Sequence, residues 1–336
     1  MKYLLMNTQR FFTLLFFLTC SVTGFAQVHS SGTYESFITI QQQKHHIQEL
    51  TSPKTAGRAA GTIGAAIAGE YIEKEFAKYG LREWRTKYRH EFQIHPDKKA
   101  KPGTPPLTGN NIIGYIPSRQ SAADYIIIGA HYDHMGMLNG RLFPGADDNA
   151  SGIAVLLELA KAFSQMAKHE TIHKNIVFVA FDANNMNNAG SKDFVNNLHI
   201  SPERVNCMIN IDQIGSNLAP PGADSSYLLV LGNDKLDYWA AEQLSLCNKI
   251  SEDTLNLDFT YYNSQSFYDI FYRLSDQRMF TEKEIPALLF TSGITRLTNK
   301  ENDDISHITF DVLNKRIKLI YKFIYQMLRA ARQNRS

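Results

Sequence analysis

The stretch from Tyr125 to Ala130 is a short, continuous run built around three β-branched residues, Ile126 to Ile128, which is typical of a strand buried in the middle of a parallel sheet. Similar runs end near Phe181 and Asp212, and segments with helical apolar spacing lie between them. Strands that alternate with helices favour a parallel sheet covered by helices on both faces. We therefore predict an α/β protein, a three-layer sandwich with a central mixed, largely parallel sheet.

The remaining predicted elements extend this pattern along the chain. Strands are predicted near 86–94, 111–116, 125–131, 175–181, 206–212, 226–231 and 286–291, and helices near 62–79, 151–167, 189–197, 235–249 and 308–332. No internal repeat and no linker interrupts this order. Residues 27–336 are therefore predicted to form a single domain.

The first 26 residues resemble a cleavable signal peptide. Lys2 and Arg10 precede the apolar run Phe11–Leu18, and Gly24–Ala26 fits a small-x-small cleavage pattern before Gln27. The apolar run is too short to span a bilayer comfortably. We expect an exported protein, periplasmic or extracellular after cleavage near Ala26, that is not an integral membrane protein.

Charge gives no reason to expect a nucleic-acid partner. The chain has 35 Lys and Arg residues against 33 Asp and Glu residues, and Lys2 and Arg10 of the leader account for the difference. The mature chain is formally neutral, whereas nucleic-acid-binding proteins carry basic patches. The oligomeric state has no signature in the sequence.

The three cysteines leave several alternatives open. Cys20 lies in the leader and admits a lipoprotein interpretation, although Thr19 precedes it where a smaller residue is usual. Cys207 falls in a predicted strand and Cys247 in a predicted helix, which favours two buried thiols. An exported chain also permits a disulfide between them. Neither cysteine has the spacing of a metal ligand.

Ligand-type side chains occur at three places that the predicted sheet brings to one edge. His131 follows the run 125–130, Asp148 lies in the turn that opens the next helix, and Asp212 ends a later strand. One imidazole and two carboxylates suit a zinc ion with an open fourth position. Each residue also admits a structural role, since strand-end histidines are often structural and an Asp before a helix often caps it.

Asp133 has a predicted role beside His131. Residues two apart in a strand share a face, so the carboxylate of Asp133 can accept the second N–H of the imidazole and fix the nitrogen that faces a metal.

These residues belong to a longer series of motifs. The series resembles the secreted dinuclear-zinc aminopeptidase family, which includes bacterial leucyl aminopeptidases, glutamate carboxypeptidases and glutaminyl cyclases. Its motifs are Thr51–Arg58 with Gly61–Thr62, Gly129–His134, Gly145–Gly152, Phe178–Phe181, Gly190–Ser191, Asn210–Asp212, Ser275–Asp276 and Ile285–Ala287. They cover most of residues 45–325 in the order of the family.

The resemblance implies one intact metal position. It assigns His131 and Asp212 to one metal ion, makes Asp148 the bridge between two ions, and gives Asp133 the role of orienting His131.

The resemblance also implies that the other half of the site is lost. In the family a Glu-Glu pair follows the strand 178–181; the first Glu is the general base and the second binds the other metal. Here those positions are Asn184 and Asn185. The last ligand of the family, a His shortly after a Ser-Gly pair, falls on Asn299.

The chemistry of amides turns these differences into a functional prediction. A general base contributes roughly 100- to 10,000-fold to such a reaction, and a carboxamide has no basic state that could accept the proton. Amides are also poor zinc ligands beside carboxylate and imidazole. We expect one zinc ion at most, or none, in a catalytically inactive or strongly impaired pseudopeptidase that binds a peptide, a glycan or a protein partner.

The alternative is an active exopeptidase that removes N-terminal residues from peptides with a single zinc and an unconventional base. Asp182 is the first candidate for that base, and four further side chains near position 299 are candidates to repair the site: Glu301, Asp303, Asp304 and His307. A solvated charged loop is the competing interpretation of that second group.

An aromatic segment at 259–272 has two interpretations. Seven rings are concentrated there, namely Phe259, Tyr261, Tyr262, Phe267, Tyr268, Phe271 and Tyr272. They either line an apolar specificity pocket or pack in the core and surface loops, and the second interpretation fits the usual fate of such residues.

Overall fold

A mixed sheet of nine strands runs through the middle of the protein in the computed structural model, which describes residues 32–96, 101, 103–218 and 224–330. The strands of the structure are β1 (Arg82–Glu83), β2 (Arg89–Ile94), β3 (Leu107–Ile116), β4 (Tyr125–His131), β5 (Gly136–Leu138), β6 (Arg141–Phe143), β7 (Asn175–Phe181), β8 (Val205–Ile211), β9 (Tyr227–Leu231), β10 (Asn256–Asp258) and β11 (Ala287–Thr291). The sheet order is β1, β3, β7, β4, β8, β11, β9, β10; β2 also pairs with β3, and β5 and β6 form a separate hairpin.

The four central strands β7, β4, β8 and β11 are parallel to one another. β3 joins them antiparallel on one side, and β9 joins antiparallel on the other, with β10 parallel to β9. The predicted mixed, largely parallel sheet is confirmed. Because the central strands are parallel, their carboxyl ends meet at one edge, where the candidate ligands are located.

Helices cover both faces of the sheet. They are α1 (Gly32–Glu35), α2 (Ile40–Leu50), α3 (Ile63–Tyr79), α4 (Gly152–His169), α5 (Ala189–Asn196), α6 (Tyr238–Lys249), α7 (Gln265–Phe271), α8 (Gln277–Thr281) and α9 (Phe310–Arg329). Ile126 and Ile128 of β4 pack in one core with α2, α3, α4, α6 and α9. Ile127 points to the opposite face and packs with α5 and α8. This alternation confirms the three layers.

Helix α2 is the largest element that the sequence pattern did not predict. Its sequence is mostly polar, and it buries Gln43 and His46 beside Ile47 and Leu50. Buried Glu158 of α4 accepts the backbone N–H of Thr39 just before the helix, at 2.6 Å. The helix therefore depends on specific polar contacts with another element, which apolar periodicity does not reveal.

Cys207 and Cys247 are both buried thiols, in β8 and α6 respectively. The predicted signal peptide at residues 1–26, with Cys20, lies outside the described residues. Within the described part of the chain, no helix is both long and apolar enough to cross a bilayer.

Candidate metal centre

Three predicted ligands meet at the carboxyl edge of the central strands. His131 ends β4, Asp148 lies in the π-helical turn Ala146–Ser151 before α4, and Asp212 follows β8. Nε2 of His131 is 3.3 Å from Oδ1 of Asp212 and 3.4 Å from Oδ1 of Asp148. All three ligand atoms lie within 4.8 Å of one another. Ligands of a tetrahedral zinc ion lie roughly 3.3 Å apart, so these residues fit one such ion.

The turn that carries Asp148 is held by the carboxylate of buried Asp303. Its two oxygens accept the backbone N–H groups of Asp147 at 2.8 Å and of Asp148 at 3.0 Å. Oδ1 of Asp147 accepts the N–H groups of Gly215 and Ser216 at 2.7 and 3.1 Å. Asp148 therefore faces the centre, whereas Asp147 joins the turn to the loop after β8.

His131 is oriented by the main chain. Its Nδ1 lies 3.1 Å from the backbone oxygen of Asp133 and 3.7 Å from that residue's carboxylate oxygen. The closer acceptor is thus the carbonyl, not the predicted carboxylate, because the carboxylate of Asp133 instead accepts the N–H groups of Asn184 at 2.9 Å and Asn185 at 3.4 Å. An N–H at Nδ1 leaves Nε2 to face the metal position.

The electrostatics of the centre favour a cation. Burial lowers the pKa of His131, but the carboxylates of Asp212, Asp133 and Asp148 together raise it well above its ordinary value. Without a metal, the protonated imidazole balances part of the negative charge. A metal ion has to replace that proton, as is general for histidine ligands.

The three amides line a cleft of about 140 Å³ above the centre. Asn184 is half-buried, and Asn185 and Asn299 are exposed. The Nδ2 group of Asn184 donates to Oδ1 of Asn188 and to Oδ2 of Asp276, each at 3.1 Å. Both amide protons of Asn184 are therefore engaged behind the cleft, and its oxygen is left to accept a hydrogen bond from a ligand.

Comparison with known proteins agrees with this arrangement. The sequence profile described as "Peptidase family M28" matches residues 111–324, which is more than half of the chain. The chain belongs to peptidase family M28. Among curated proteins, Aminopeptidase YwaD of Bacillus subtilis is 27% identical over 230 residues, which are 66% of this chain and 45% of that protein. The chain thus spans less than half the length of this relative.

Solved structures share the M28 fold at low identity. The LapA aminopeptidase of Legionella pneumophila gives a TM-score of 0.68 at 17% identity, covering 90% of this chain and 76% of that chain. BSAP, a zinc aminopeptidase from Bacillus subtilis, gives 0.66 at 16% identity, covering 87% and 95%. Identities at this level show a common fold.

None of the acids or imidazoles proposed from the sequence as substitutes lines the cleft formed by the described residues. Asp182 is buried, and its oxygens accept the N–H groups of Asn110 and Ala183 at 2.9 and 2.8 Å. Burial and nearby Asp133 raise its pKa to about 7. Asp182 therefore lies in the protein interior, away from the cleft.

The acids near position 299 have structural contacts instead. Glu301 forms an exposed ion pair with Arg141 at 3.3 Å, and Asp304 accepts the N–H of Ser306 at 2.8 Å. Asp303 holds the Asp147–Asp148 turn, and burial with nearby Asp147 raises its pKa to about 7. His307 is half-buried in the short helix Ile305–His307.

The aromatic segment divides between the cleft and the interior. Tyr261 and Phe271 line the cleft, with their rings stacked at a centroid distance of 4.1 Å. Tyr268 and Tyr272 are buried, and their hydroxyl groups donate to Asp234 and to the carbonyl of Ala287. The packing interpretation therefore holds for Tyr268 and Tyr272, whereas Tyr261 and Phe271 lie where a specificity pocket would need them.

Two residues at the site had no role assigned from the sequence. Asp276 is fully buried behind Asn184, and burial raises its pKa to about 6, although His131 opposes the shift. His134 is buried beside Asp148, and burial lowers its pKa to about 4 although Asp148 opposes the shift. Asp276 lies in the motif Ser275–Asp276 and His134 in the motif Gly129–His134. Only their neighbours in the folded chain distinguish them from residues with a structural role.

Proposed function

We propose that this M28 protein binds one zinc ion through His131, Asp148 and Asp212 and holds a small ligand in the adjoining cleft without hydrolysing it. The observation that supports this proposal is that Asn184 lines the same cleft as the three ligands, with both of its amide protons engaged in hydrogen bonds. The carboxamide of Asn184 has no basic group that could accept a proton from an attacking water.

The cleft suits a ligand that presents a hydrogen-bond donor and an apolar group. Asp148, Asp212 and the oxygen of Asn184 supply acceptors, whereas Tyr261 and Phe271 supply an apolar wall. The N-terminal end of a peptide combines these two features. When zinc is bound, it would supply a Lewis acid that polarises a carbonyl group of such a ligand.

His131→Ala removes one of the three protein ligands and is expected to weaken zinc binding at least about 100-fold. Mutation of a residue that only supports a metal ligand already lowers metal affinity by about 10- to 100-fold. Isothermal titration with zinc and elemental analysis after dialysis measure this change. His307→Ala is the matched control and should retain native affinity, since His307 does not line the cleft. Two tightly held zinc ions in the native chain would contradict the proposal.

A single-zinc exopeptidase is the second candidate, and one observation favours it. Asp276 is fully buried and does not line the cleft, but its Oδ2 accepts a hydrogen bond from Asn184 at 3.1 Å, so a carboxyl group lies directly behind a residue of the cleft. If this alternative is correct, the native chain hydrolyses peptides in a chelator-sensitive reaction, and Asp276→Asn should abolish that reaction. Native protein without such hydrolysis would remove this candidate.

We also propose that the protein is exported and processed at the predicted cleavage position. Protein recovered from the periplasm or the medium is expected to begin at Gln27, because the Gly24–Ala26 pattern follows a short apolar run. Intact-mass measurement and N-terminal sequencing test this prediction. Retained Met1, or a lipid on Cys20, would contradict it.

A further inference from the structure

Three large apolar side chains are exposed along the segment that contains α7. Phe267, Ile270 and Leu274 are 52%, 52% and 56% exposed, and we call them the apolar stripe. The N–H of Arg273 donates to the carbonyl of Ile270 at 3.1 Å, so the helical turns continue beyond the end of α7. Residues at this spacing share one side of a helix. The stripe is therefore a continuous apolar face that is open to solvent.

The opposite face of the same helix is anchored in the protein. The hydroxyl of buried Tyr268 donates to Oδ1 of Asp234 at 2.5 Å. The hydroxyl of buried Tyr272 donates to the carbonyl of Ala287 at 2.6 Å. Because these contacts fix the rotation of the helix, the stripe is held facing outwards.

The stripe extends the apolar wall of the cleft. Leu274 belongs to both, since it lines the cleft. The ring centroid of Phe267 lies 6.0 Å from that of Phe271 and 6.4 Å from that of Tyr261, and both of these rings line the cleft. Tyr261 is buried whereas Phe267 is half exposed, so exposure increases away from the centre. An apolar surface therefore leads from the cleft onto the outside of the protein.

The length of the stripe suits an extended peptide. Leu274 lies seven positions after Phe267, which is about 10 Å along a helix. An extended chain advances about 3.3 Å per residue, and every second side chain points to the same side. A peptide whose first residue occupies the cleft therefore carries its third side chain roughly 7 Å further along the same wall.

Charge and area disfavour two other occupants of the stripe. Asp269 and Arg273 are the charged residues of the segment 265–274, which thus has no net charge, whereas helices that bind anionic membranes are rich in basic residues. The three half-exposed side chains offer on the order of 300 Å² of apolar area, and a stable dimer buries about 800 Å² on each partner. A peptide that is already held in the cleft needs neither basic charge nor so large an area.

We propose that the cleft and the apolar stripe together bind the N-terminal segment of an extended peptide, with an apolar third residue packed against the stripe. The inference rests on the proposed function, in which the N-terminal end of a peptide occupies the cleft, and adds the third residue as a determinant of specificity. The second side chain points away from the stripe, so an apolar residue there contributes little.

Isothermal titration of the zinc-loaded native chain with three synthetic peptide amides tests this preference. Leu-Ser-Leu-Ser is the probe, Leu-Ser-Ser-Ser lacks the apolar third residue, and Leu-Leu-Ser-Ser has the composition of the probe with its second leucine at position two. We expect the probe to bind at least about tenfold more tightly than either of the other two peptides, because only its third side chain is buried on binding.

The double variant Phe267→Ser, Ile270→Ser is expected to bind all three peptides with equal affinity, and circular dichroism checks its folding. Both side chains are half exposed, so the fold does not depend on them. Leu246→Ser is the matched control, since Leu246 is an exposed apolar residue of α6 that does not line the cleft. This control should keep the tenfold preference.

Equal affinities of the native chain for the three peptides would overturn the role of the stripe and leave the single-zinc function intact. Sedimentation of the chain as a dimer, or with vesicles of phosphatidylcholine and phosphatidylglycerol, that is lost in the double variant would also overturn it, because another partner would then cover the stripe. Cleavage of the probe, detected by mass spectrometry after titration, would instead contradict the non-hydrolytic function.

Discussion

Chelator-sensitive hydrolysis of amino-acid anilides is expected to be absent from the native chain and to appear when the missing groups are supplied together. The variant carries Asn184→Glu, Asn185→Glu and Asn299→His. These three positions line the cleft, and His131, Asp148 and Asp212 already have the spacing of a metal site. A restored general base should raise the rate roughly 100- to 10,000-fold over the same variant without it.

The matched control for this experiment is Gln at position 184 in the otherwise identical variant, since Gln has the size of Glu but no basic group. Recovery is expected to be incomplete, because a site that is about 1 Å too loose loses most of its rate. Hydrolysis by the native chain that disappears in His131→Ala would contradict the pseudopeptidase proposal. It would support the single-zinc exopeptidase, with Asp276 as the first base to test.

Arg58→Ala is expected to destabilise the protein by on the order of 4 kcal/mol, because it leaves several buried carbonyl groups without donors. The guanidinium of Arg58 donates to the carbonyls of Leu50, Tyr132 and Pro144 at 2.7 Å each and of Gly145 at 2.9 Å. Burial lowers the pKa of Arg58 to about 10, so the side chain remains charged at neutral pH. Urea denaturation followed by circular dichroism measures the loss.

Zinc affinity should fall in the same variant, since Tyr132 follows the ligand His131 and Gly145 precedes the turn of Asp148. Arg141→Ala is the control, and we expect a change below about 0.5 kcal/mol because Arg141 forms only an exposed ion pair with Glu301. A stability loss below about 1 kcal/mol for Arg58→Ala would show that water satisfies these carbonyl groups.

The central part of the fold followed from the sequence because its elements are buried on both faces. The predicted strand at 125–131 agrees with β4 (Tyr125–His131), and the one at 175–181 agrees with β7 (Asn175–Phe181). No polar residue interrupts the interior of these runs, from Ile126 to Ala130 and from Ile176 to Phe181. Short or half-exposed elements, such as β10 and α7, have weaker patterns and depend on what packs against them.

The sequence alone determined the sheet, its ligand edge and the identity of the residues there: an imidazole and two carboxylates, with amides at three neighbouring places. The sheet edge with its imidazole and carboxylates follows from strand periodicity and side-chain chemistry, which are local properties, whereas the places of the three amides are implied by the family resemblance. Only the tertiary structure decided which acids reach the cleft and which groups lie next to the side chains of Asp133 and His134. Asp182 stands two residues before Asn184 in sequence, yet the chain turns its carboxylate into the interior, towards the backbone of Asn110. Distances between side chains on separate segments depend on packing, which residue spacing along the chain does not encode.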